Sequence, residues 1–275
     1  MKFNPKFKAF IKNTFEIYDK ELMHYAASLS FHTMLSLIPV LLLSLSIFTQ
    51  LPSFDEYYAK IKEFIFSNLL PTHQDMLSGY IEQFMSNSVS LGILGFGAII
   101  VTTMLFFGDY EYVINKILKT KARGFWQGIS TYWTLITLAP LGLGFSFFLT
   151  TKFQNLLNQT EYTSWINIIS VLPYFIIWAI FAVTYTISIN GEISTKNILI
   201  SSFIASFAWD FSKFAFVQYA FYNKTYTSIY GSFSVLLFFF LWIYISWIIF
   251  LYGFKIYGVL NQKNRQNPQT SNQNS

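Results

Sequence analysis

The stretch Phe233–Tyr257, FSVLLFFFLWIYISWIIFLYGFKIY, decides the fold class of this chain. Its only charged residue is Lys255, close to its end. A helix needs about 20 mostly apolar residues to cross the hydrocarbon core of a bilayer. A helix also satisfies every backbone hydrogen bond within one segment, which lipid cannot do. The stretch therefore predicts a transmembrane helix.

The rest of the chain repeats this pattern. Of its 275 residues, 53% are hydrophobic and only 11% are charged, against about 25% charged in a typical soluble domain. This composition excludes a disordered chain or a nucleic-acid-binding arm and argues against a soluble enzyme. Because cysteine is absent, there are no disulfides or thiolate sites. We expect an all-α polytopic membrane protein with six transmembrane helices, at residues 28–50, 89–108, 129–151, 165–189, 198–221 and 233–257.

The basic residues are distributed unequally between the two sides of these spans. Of the 18 lysines and arginines, thirteen lie in the N-terminal segment, the loops after the second and fourth spans, and the C-terminal end. Lysine and arginine are enriched in cytoplasmic loops. We therefore expect both termini in the cytoplasm. Topology then explains the net charge of +5, so no nucleic-acid partner is needed.

Three segments outside the spans have patterns of their own. Residues 1–27 contain an amphipathic helix, which either lies in the cytoplasmic membrane interface or packs under the bundle as an ordinary soluble helix. Residues 52–88 form two amphipathic stretches separated by Pro71, which predicts an external helical hairpin. Residues 261–275 are rich in Asn and Gln and predict a disordered cytoplasmic tail.

Polar side chains inside spans are the candidate functional residues, because each costs several kcal/mol if unpaired in lipid. Asp210 and Lys213 are spaced to share a helix face in the fifth span. They form either a structural ion pair or part of a polar pathway for a substrate or ion. Ser28, His32 and Ser36 share a face of the first span. His32 either takes a proton or binds a headgroup, or it simply bonds to a neighbouring helix.

Motifs of known chemistry do not occur. The sequence lacks H-E-x-x-H, P-loop, G-x-S-x-G and dinucleotide-binding patterns. Acidic or histidine clusters at one depth are not evident either. The sequence therefore predicts no enzyme activity, no catalytic residues, no cofactor and no metal site.

Two stretches carry a family pattern. His24–Phe48 has an Ala-rich start and a Leu-rich helix with a central proline, Pro39. Tyr230–Ile256 opens on Tyr-Gly-Ser and continues through an apolar run. The matching positions in and between these stretches are Ala26, Ala27, Phe31, Leu35, Pro39, Asn115, Tyr230, Gly231, Ser232, Leu241, Trp242, Tyr244, Ser246 and Gly253. These residues resemble the YihY/BrkB-type inner-membrane family, once labelled ribonuclease BN. The chain departs from the family at Lys255, where a glutamate is usual.

The resemblance implies a six-span, all-helical protein of the bacterial cytoplasmic membrane whose relatives are suspected of handling envelope lipids. We therefore expect a transporter or flippase-like handler of an envelope lipid or another amphiphile, with membrane lipids as partners. The alternative is a non-transporting membrane scaffold or envelope assembly factor. An intramembrane nuclease would need an acid–base or metal constellation that the sequence lacks. The sequence leaves open a homo-oligomer or an envelope protein partner.

Overall fold

The computed structural model contains helices and the loops between them, and no strand, in the part of the chain that it describes. That part comprises residues 19–49, 92–124, 127–128, 131, 152–155, 157, 168–191, 193–231 and 233–266, with Glu63 and Gly79. The all-α prediction is confirmed for these residues. The helices are α1 (Lys20–Thr49), α2 (Gly92–Leu118), α3 (Ile168–Ser188), α4 (Thr195–Tyr222), α5 (Lys224–Tyr230) and α6 (Phe233–Gln266).

Helix α6 is the element on which the others assemble. It packs against α1, α2 and α4, while α1 packs on α2 and α3 packs on α4. A helix that is hydrophobic around its whole circumference is buried on several sides, and α6 has this composition. Its side chains at Phe238, Trp242, Leu251 and Phe254 are almost completely buried.

Three of the described helices are long and apolar enough to cross a membrane. Their apolar segments are Val171–Ser188, Thr195–Tyr222 and Phe233–Asn261. Helix α4 also presents a row of outward-facing phenylalanines with more than half of each side chain exposed. They are Phe203, Phe207, Phe211 and Phe214. Exposed aromatic rows of this kind are costly in water and favourable against lipid or another apolar surface.

Two helices extend past predicted boundaries. Helix α1 begins at Lys20, so residues 20–27 are helical and continuous with the first predicted span. Helix α6 continues to Gln266, so residues 261–266 of the predicted disordered tail are helical. A polar composition alone does not end a helix, and Pro268 is the first breaker after Gly258.

Other predictions fall outside the described residues. This group comprises residues 1–18 and almost all of both the external hairpin at 52–88 and the third span at 129–151. The C-terminal residues 267–275 are in it as well. The six-span count and the hairpin therefore stay predictions.

Two of the family positions lie at helix ends. At the end of α2, Lys119 has a left-handed φ of 54°, and the Thr120 backbone N–H donates to the Asn115 carbonyl over 3.1 Å. This is the hydrogen bond of a Schellman C-cap, and the Thr120 hydroxyl also donates to Asn115 Oδ1 over 2.6 Å. Gly231 has a φ of +55° between α5 and α6, where a side chain would strain the backbone. Ser234 Oγ donates to the Gly231 carbonyl over 2.7 Å.

Candidate functional site

Three polar side chains meet where α1 crosses α2. Ser28 Oγ donates to Asp109 Oδ2 over 2.7 Å, and His32 Nδ1 lies 3.0 Å from the same oxygen. The His32 and Asp109 side chains are 25% and 20% exposed. We call these residues the Ser28–His32–Asp109 cluster. An ionised carboxylate only accepts hydrogen bonds, so His32 Nδ1 carries the proton and, in the neutral ring, Nε2 is the acceptor.

The order of bonds in the cluster matters for its chemistry. In a nucleophilic triad the serine donates to the histidine and the acid orients the far ring nitrogen. Here Ser28 and His32 both bind one oxygen of Asp109, so the serine donates to the carboxylate and not to the imidazole. The arrangement therefore differs from that of a nucleophilic triad.

The residues that follow His32 and Asp109 in sequence connect the cluster to two further helices. Thr33 Oγ1 accepts a hydrogen bond from Trp247 Nε1 of α6 over 2.9 Å. The Tyr110 hydroxyl lies 2.6 Å from Ser188 Oγ of α3. The Tyr110 and Trp247 rings pack with their centroids 5.9 Å apart. The α1–α2 contact is thus held in a frame of uncharged hydrogen bonds to α6 and α3.

Arg123 joins the loop after α2 to the end of α3. Its backbone N–H donates to Glu111 Oε1 over 2.6 Å, and its guanidinium Nη2 donates to the carbonyls of Ile187 and Ile189 over 2.5 Å and 3.1 Å. A cation is favourable at a helix C-terminus, where the last carbonyls lack partners. Arg123 therefore caps α3 and is committed to that structural role.

Lys255 also has a partner. Its Nζ donates to Asp19 Oδ2 over 2.9 Å, joining α6 to the residue before α1. Burial acts to raise the pKa of Asp19, but the hydrogen bonds from Lys255 and from the Leu22 backbone, with the lysine charge, outweigh it and lower that pKa. The lysine at this family position is therefore explained by an acidic residue at the start of α1.

The remaining predicted residues lie elsewhere. Asp210 and Lys213 are half-buried on α4, and Lys213 Nζ lies 5.8 Å from the Trp209 ring centroid. Ser36 is buried, and its hydroxyl donates to the Thr33 carbonyl over a long 3.4 Å. Of the five polar residues that the sequence singled out, Ser28 and His32 are brought together, around a carboxylate that the sequence did not single out.

Asp109 directly follows the predicted second span at 89–108, so it was not among the polar side chains inside spans that the sequence singled out. A signal for it was present in the sequence. Ser28 and His32 open the first span, and Asp109 closes the next one. Consecutive spans run in opposite directions, so these residues are expected at the same depth, and only the facing of the two helices was unknown.

A second contact, between α3 and α6, is aromatic. We call Tyr185, Phe250, Gly253 and Phe254 the aromatic seam. The Tyr185 hydroxyl donates to the Phe250 carbonyl over 2.7 Å, and the Tyr185 and Phe254 ring centroids are 4.1 Å apart. A Cβ atom at Gly253 would overlap the Tyr185 hydroxyl, so only glycine fits this family position.

A further buried family position also belongs to the aromatic core. Trp242 is 1% exposed, and its ring lies 5.3 Å from both Trp209 and Phe216 of α4, measured between centroids. Trp209 Nε1 in turn donates to Ser246 Oγ over 2.9 Å. These positions hold α4 on α6 and are explained by packing.

The apolar helices α3, α4 and α6 are typical of a helical membrane protein, and the cluster with its two ionisable side chains lies where α1 crosses α2. The family comparison agrees with this class. The sequence profile described as Virulence factor BrkB matches residues 15–275. The chain belongs to the BrkB family, which confirms the resemblance found in the sequence.

The chain is similar to several proteins named UPF0761 membrane protein. One from Haemophilus influenzae (strain 86-028NP) is 30% identical over 90% of this chain and 93% of its own length. One from Mannheimia succiniciproducens is 30% identical over 87% of this chain and 85% of its own length. One from Pseudoalteromonas atlantica is 28% identical over 86% and 80% respectively. No solved structure matches the chain.

Proposed function

We propose that the protein moves an envelope lipid or another amphiphile across the bacterial cytoplasmic membrane, as a transporter or flippase-like protein. The proposal includes six spans, with both termini in the cytoplasm. The observation that carries it is the Ser28–His32–Asp109 cluster. Ionisable residues within transmembrane helices are costly, and they commonly mark the route of a substrate or ion.

The cluster has the properties that a polar headgroup needs. It offers a hydroxyl and an imidazole that lie 2.7 Å and 3.0 Å from the same oxygen of a carboxylate. The side chains of His32 and Asp109 are partly exposed, so a ligand or water can reach them. An amphiphile also needs apolar surface for its chains, and the outward phenylalanines of α4 supply such a surface.

Asp210, Lys213 and Ser36 are proposed as further positions on the same route. Asp210 and Lys213 lie in the middle of α4 and are half-buried, so the bundle shields them partly from lipid. Their opposite charges attract across one helical turn, which lowers the cost of keeping both at this depth. A route with polar groups on α1, α2 and α4 would give a headgroup successive partners.

Lipid movement in vesicles tests the proposal. Purified full-length protein is reconstituted with fluorescent phospholipids, and a membrane-impermeant quencher reports the rate at which label changes leaflet. We expect Asp109→Asn to lower this rate about tenfold, which corresponds to a loss of about 1.4 kcal/mol at the barrier, and Asp210→Asn to lower it as well.

The control for charge removal is Glu21→Gln, because Glu21 is an exposed acid in the first turn of α1. This variant should keep the wild-type rate. Wild-type vesicles that move no lipid faster than empty vesicles, across zwitterionic, anionic and isoprenoid lipids, would refute the proposed transport.

The exposed phenylalanine row of α4 favours the second candidate, a membrane scaffold or assembly factor. A photo-crosslinking residue placed at Phe211, whose side chain is 66% exposed, would capture a protein that docks there in native membranes. A stable envelope protein partner would support the scaffold. Crosslinks confined to lipid or to other copies of this chain would exclude it.

A further inference from the structure

We propose that the Ser28–His32–Asp109 cluster is a proton-binding site, which takes up one proton from water and couples its passage to the lipid movement. The coupling rests on the proposed function, whereas the proton binding stands on the geometry of the cluster alone. The ligand is a proton, and the groups that hold it are the imidazole of His32 and the carboxylate of Asp109.

The hydrogen bonds define where the proton goes. Asp109 Oδ2 accepts from Ser28 and from His32 Nδ1, which leaves the lone pair of His32 Nε2 free to accept in the neutral ring. A hydronium ion gives its proton to Nε2, forming a new N–H bond and releasing water. The net charge of the pair then changes from −1 to zero. The reverse transfer to water returns the pair to its first state.

Several other ionisable side chains lie near the His32–Asp109 pair among the described residues. The other ionisable side chains of α1 and α2 within three turns of the pair are Glu21, His24, Tyr25, Tyr110, Glu111, Tyr112 and Lys116. Glu111 is bonded to the Arg123 backbone, and Lys116 lies over the Tyr112 ring. From α6, the nearby Trp247 and Phe250 carry no charge.

The change in net charge gives the proton a mechanical consequence. A net charge of −1 is expensive to bury and keeps water at the α1–α2 contact, whereas a neutral pair can lose that water. The flanking bonds from Thr33 to Trp247 and from Tyr110 to Ser188 are uncharged. They stay intact when the pair is protonated. The proton therefore changes the contact between α1 and α2, while the hydrogen bonds to α6 and α3 persist.

Infrared difference spectroscopy tests proton binding without any transported lipid. Spectra of the full chain in lipid vesicles are compared between mildly alkaline and mildly acidic pH. We expect carboxyl and imidazole bands that both Asp109→Asn and His32→Gln abolish. Ser28→Ala should shift the carboxyl band, because it removes one of the hydrogen bonds to Asp109, and it leaves both titratable groups in place should the other variants fail to fold.

The matched control is His24→Gln. His24 lies on the same helix, is exposed, and bonds through Nδ1 to the Lys20 carbonyl over 2.8 Å. Its removal should take away only a solvent-exposed imidazole signal and leave the paired bands. Acid-induced spectra that are the same for wild type, Asp109→Asn, His32→Gln and Ser28→Ala would overturn the proton site.

Lipid movement under an imposed pH gradient tests the coupling. We expect the wild-type rate to change about tenfold between the two directions of the gradient, equivalent to about 1.4 kcal/mol, and the His32→Gln rate not to respond. A wild-type protein that moves lipid independently of the gradient overturns the coupling. A wild-type protein that titrates in the infrared but moves no lipid refutes the proposed function and leaves the proton site standing.

Discussion

The α1–α2 contact and the α3–α6 contact join helices of similar composition by opposite means. At the first, a carboxylate, an imidazole and a hydroxyl meet while partly exposed. At the second, Tyr185 and Phe254 are completely buried, and a glycine leaves room for the Tyr185 hydroxyl. Tight aromatic packing stabilises a bundle and tolerates little change in shape. A polar contact contributes less to stability, but its strength depends on charge and so can change during a working cycle.

The largest expected effect on stability is at the aromatic seam. Gly253→Ala places a Cβ in the space of the Tyr185 hydroxyl and 2.8 Å from Ala205 Cβ. We expect the free energy of unfolding to fall by about 3 kcal/mol, the upper part of the usual range for overpacking. Urea or SDS unfolding of the purified protein in micelles measures it.

Gly258→Ala is the matched control on the same helix. A Cβ at Gly258 would lie 3.7 Å from Leu118 Cδ2, an ordinary contact, and alanine favours a helix over glycine by up to about 1 kcal/mol. This variant should be as stable as the wild type or slightly more so. Equal stability of the two glycine variants would contradict the tight fit of the Tyr185 hydroxyl against Gly253.

Tyr185→Phe tests whether the Tyr185 hydroxyl is the group that excludes a side chain at Gly253. Alone, it removes the hydrogen bond to the Phe250 carbonyl and should cost about 1 kcal/mol. In the Gly253→Ala background it removes the overlapping hydroxyl, so the double variant should be more stable than Gly253→Ala. The coupling energy from the four proteins measures this rescue, and strictly additive losses would mean that the hydroxyl is not what excludes a side chain at Gly253.

The polar contact should contribute less to stability than to function. Asp109→Asn leaves a neutral acceptor in place of a carboxylate and should lower the free energy of unfolding by about 2 kcal/mol. Ser28→Ala should lower it by about 1 kcal/mol. A loss at Asp109 larger than that at Gly253, in the same unfolding experiment, would reverse the roles assigned to the two contacts.

The smallest effect is expected where Lys255 meets Asp19. The pKa of Asp19 lies below its ordinary value of 3.8 in the folded protein, so its stabilising contribution is complete above that value and is lost as the pH falls through the folded pKa. Lys255→Met should lower stability by at most about 1 kcal/mol at neutral pH, and should weaken the loss of stability below about pH 4.

Thermal unfolding at several pH values measures this dependence. Lys196→Met is the comparison, since Lys196 is an exposed lysine in the first turn of α4. It should keep the acid dependence of the wild type. Identical acid profiles for Lys255→Met and the wild type would show that the ion pair does not form in solution.

The features that the sequence predicted well are those that a single helix determines by itself. The apolar run of α6 predicts a long apolar helix that can span a membrane, without any knowledge of its neighbours. The burial cost of Asp210 and Lys213 is likewise visible within α4. The outcome for these two residues as functional groups awaits the transport experiment.

What the sequence did not predict depends on how two helices face each other. His32 and Asp109 are 77 positions apart, and Lys255 and Asp19 are 236 apart. The period of a helix tells on which face a residue lies. Which face of a second helix meets that residue depends on the packing of all the helices in the bundle. The depth of Asp109 could therefore be predicted from its place after the second span, but its contact with His32 could not.

The most direct test of the functional role of the α1–α2 contact, as against the structural role of the α3–α6 contact, is the lipid-movement rate of the Asp109→Asn protein. A cooperative unfolding transition first shows that this protein is folded. We predict a rate about tenfold or more below the wild type, with His24→Gln and Gly258→Ala at the wild-type rate. A folded Asp109→Asn protein that moves lipid as fast as the wild type would contradict a functional role for the α1–α2 cluster.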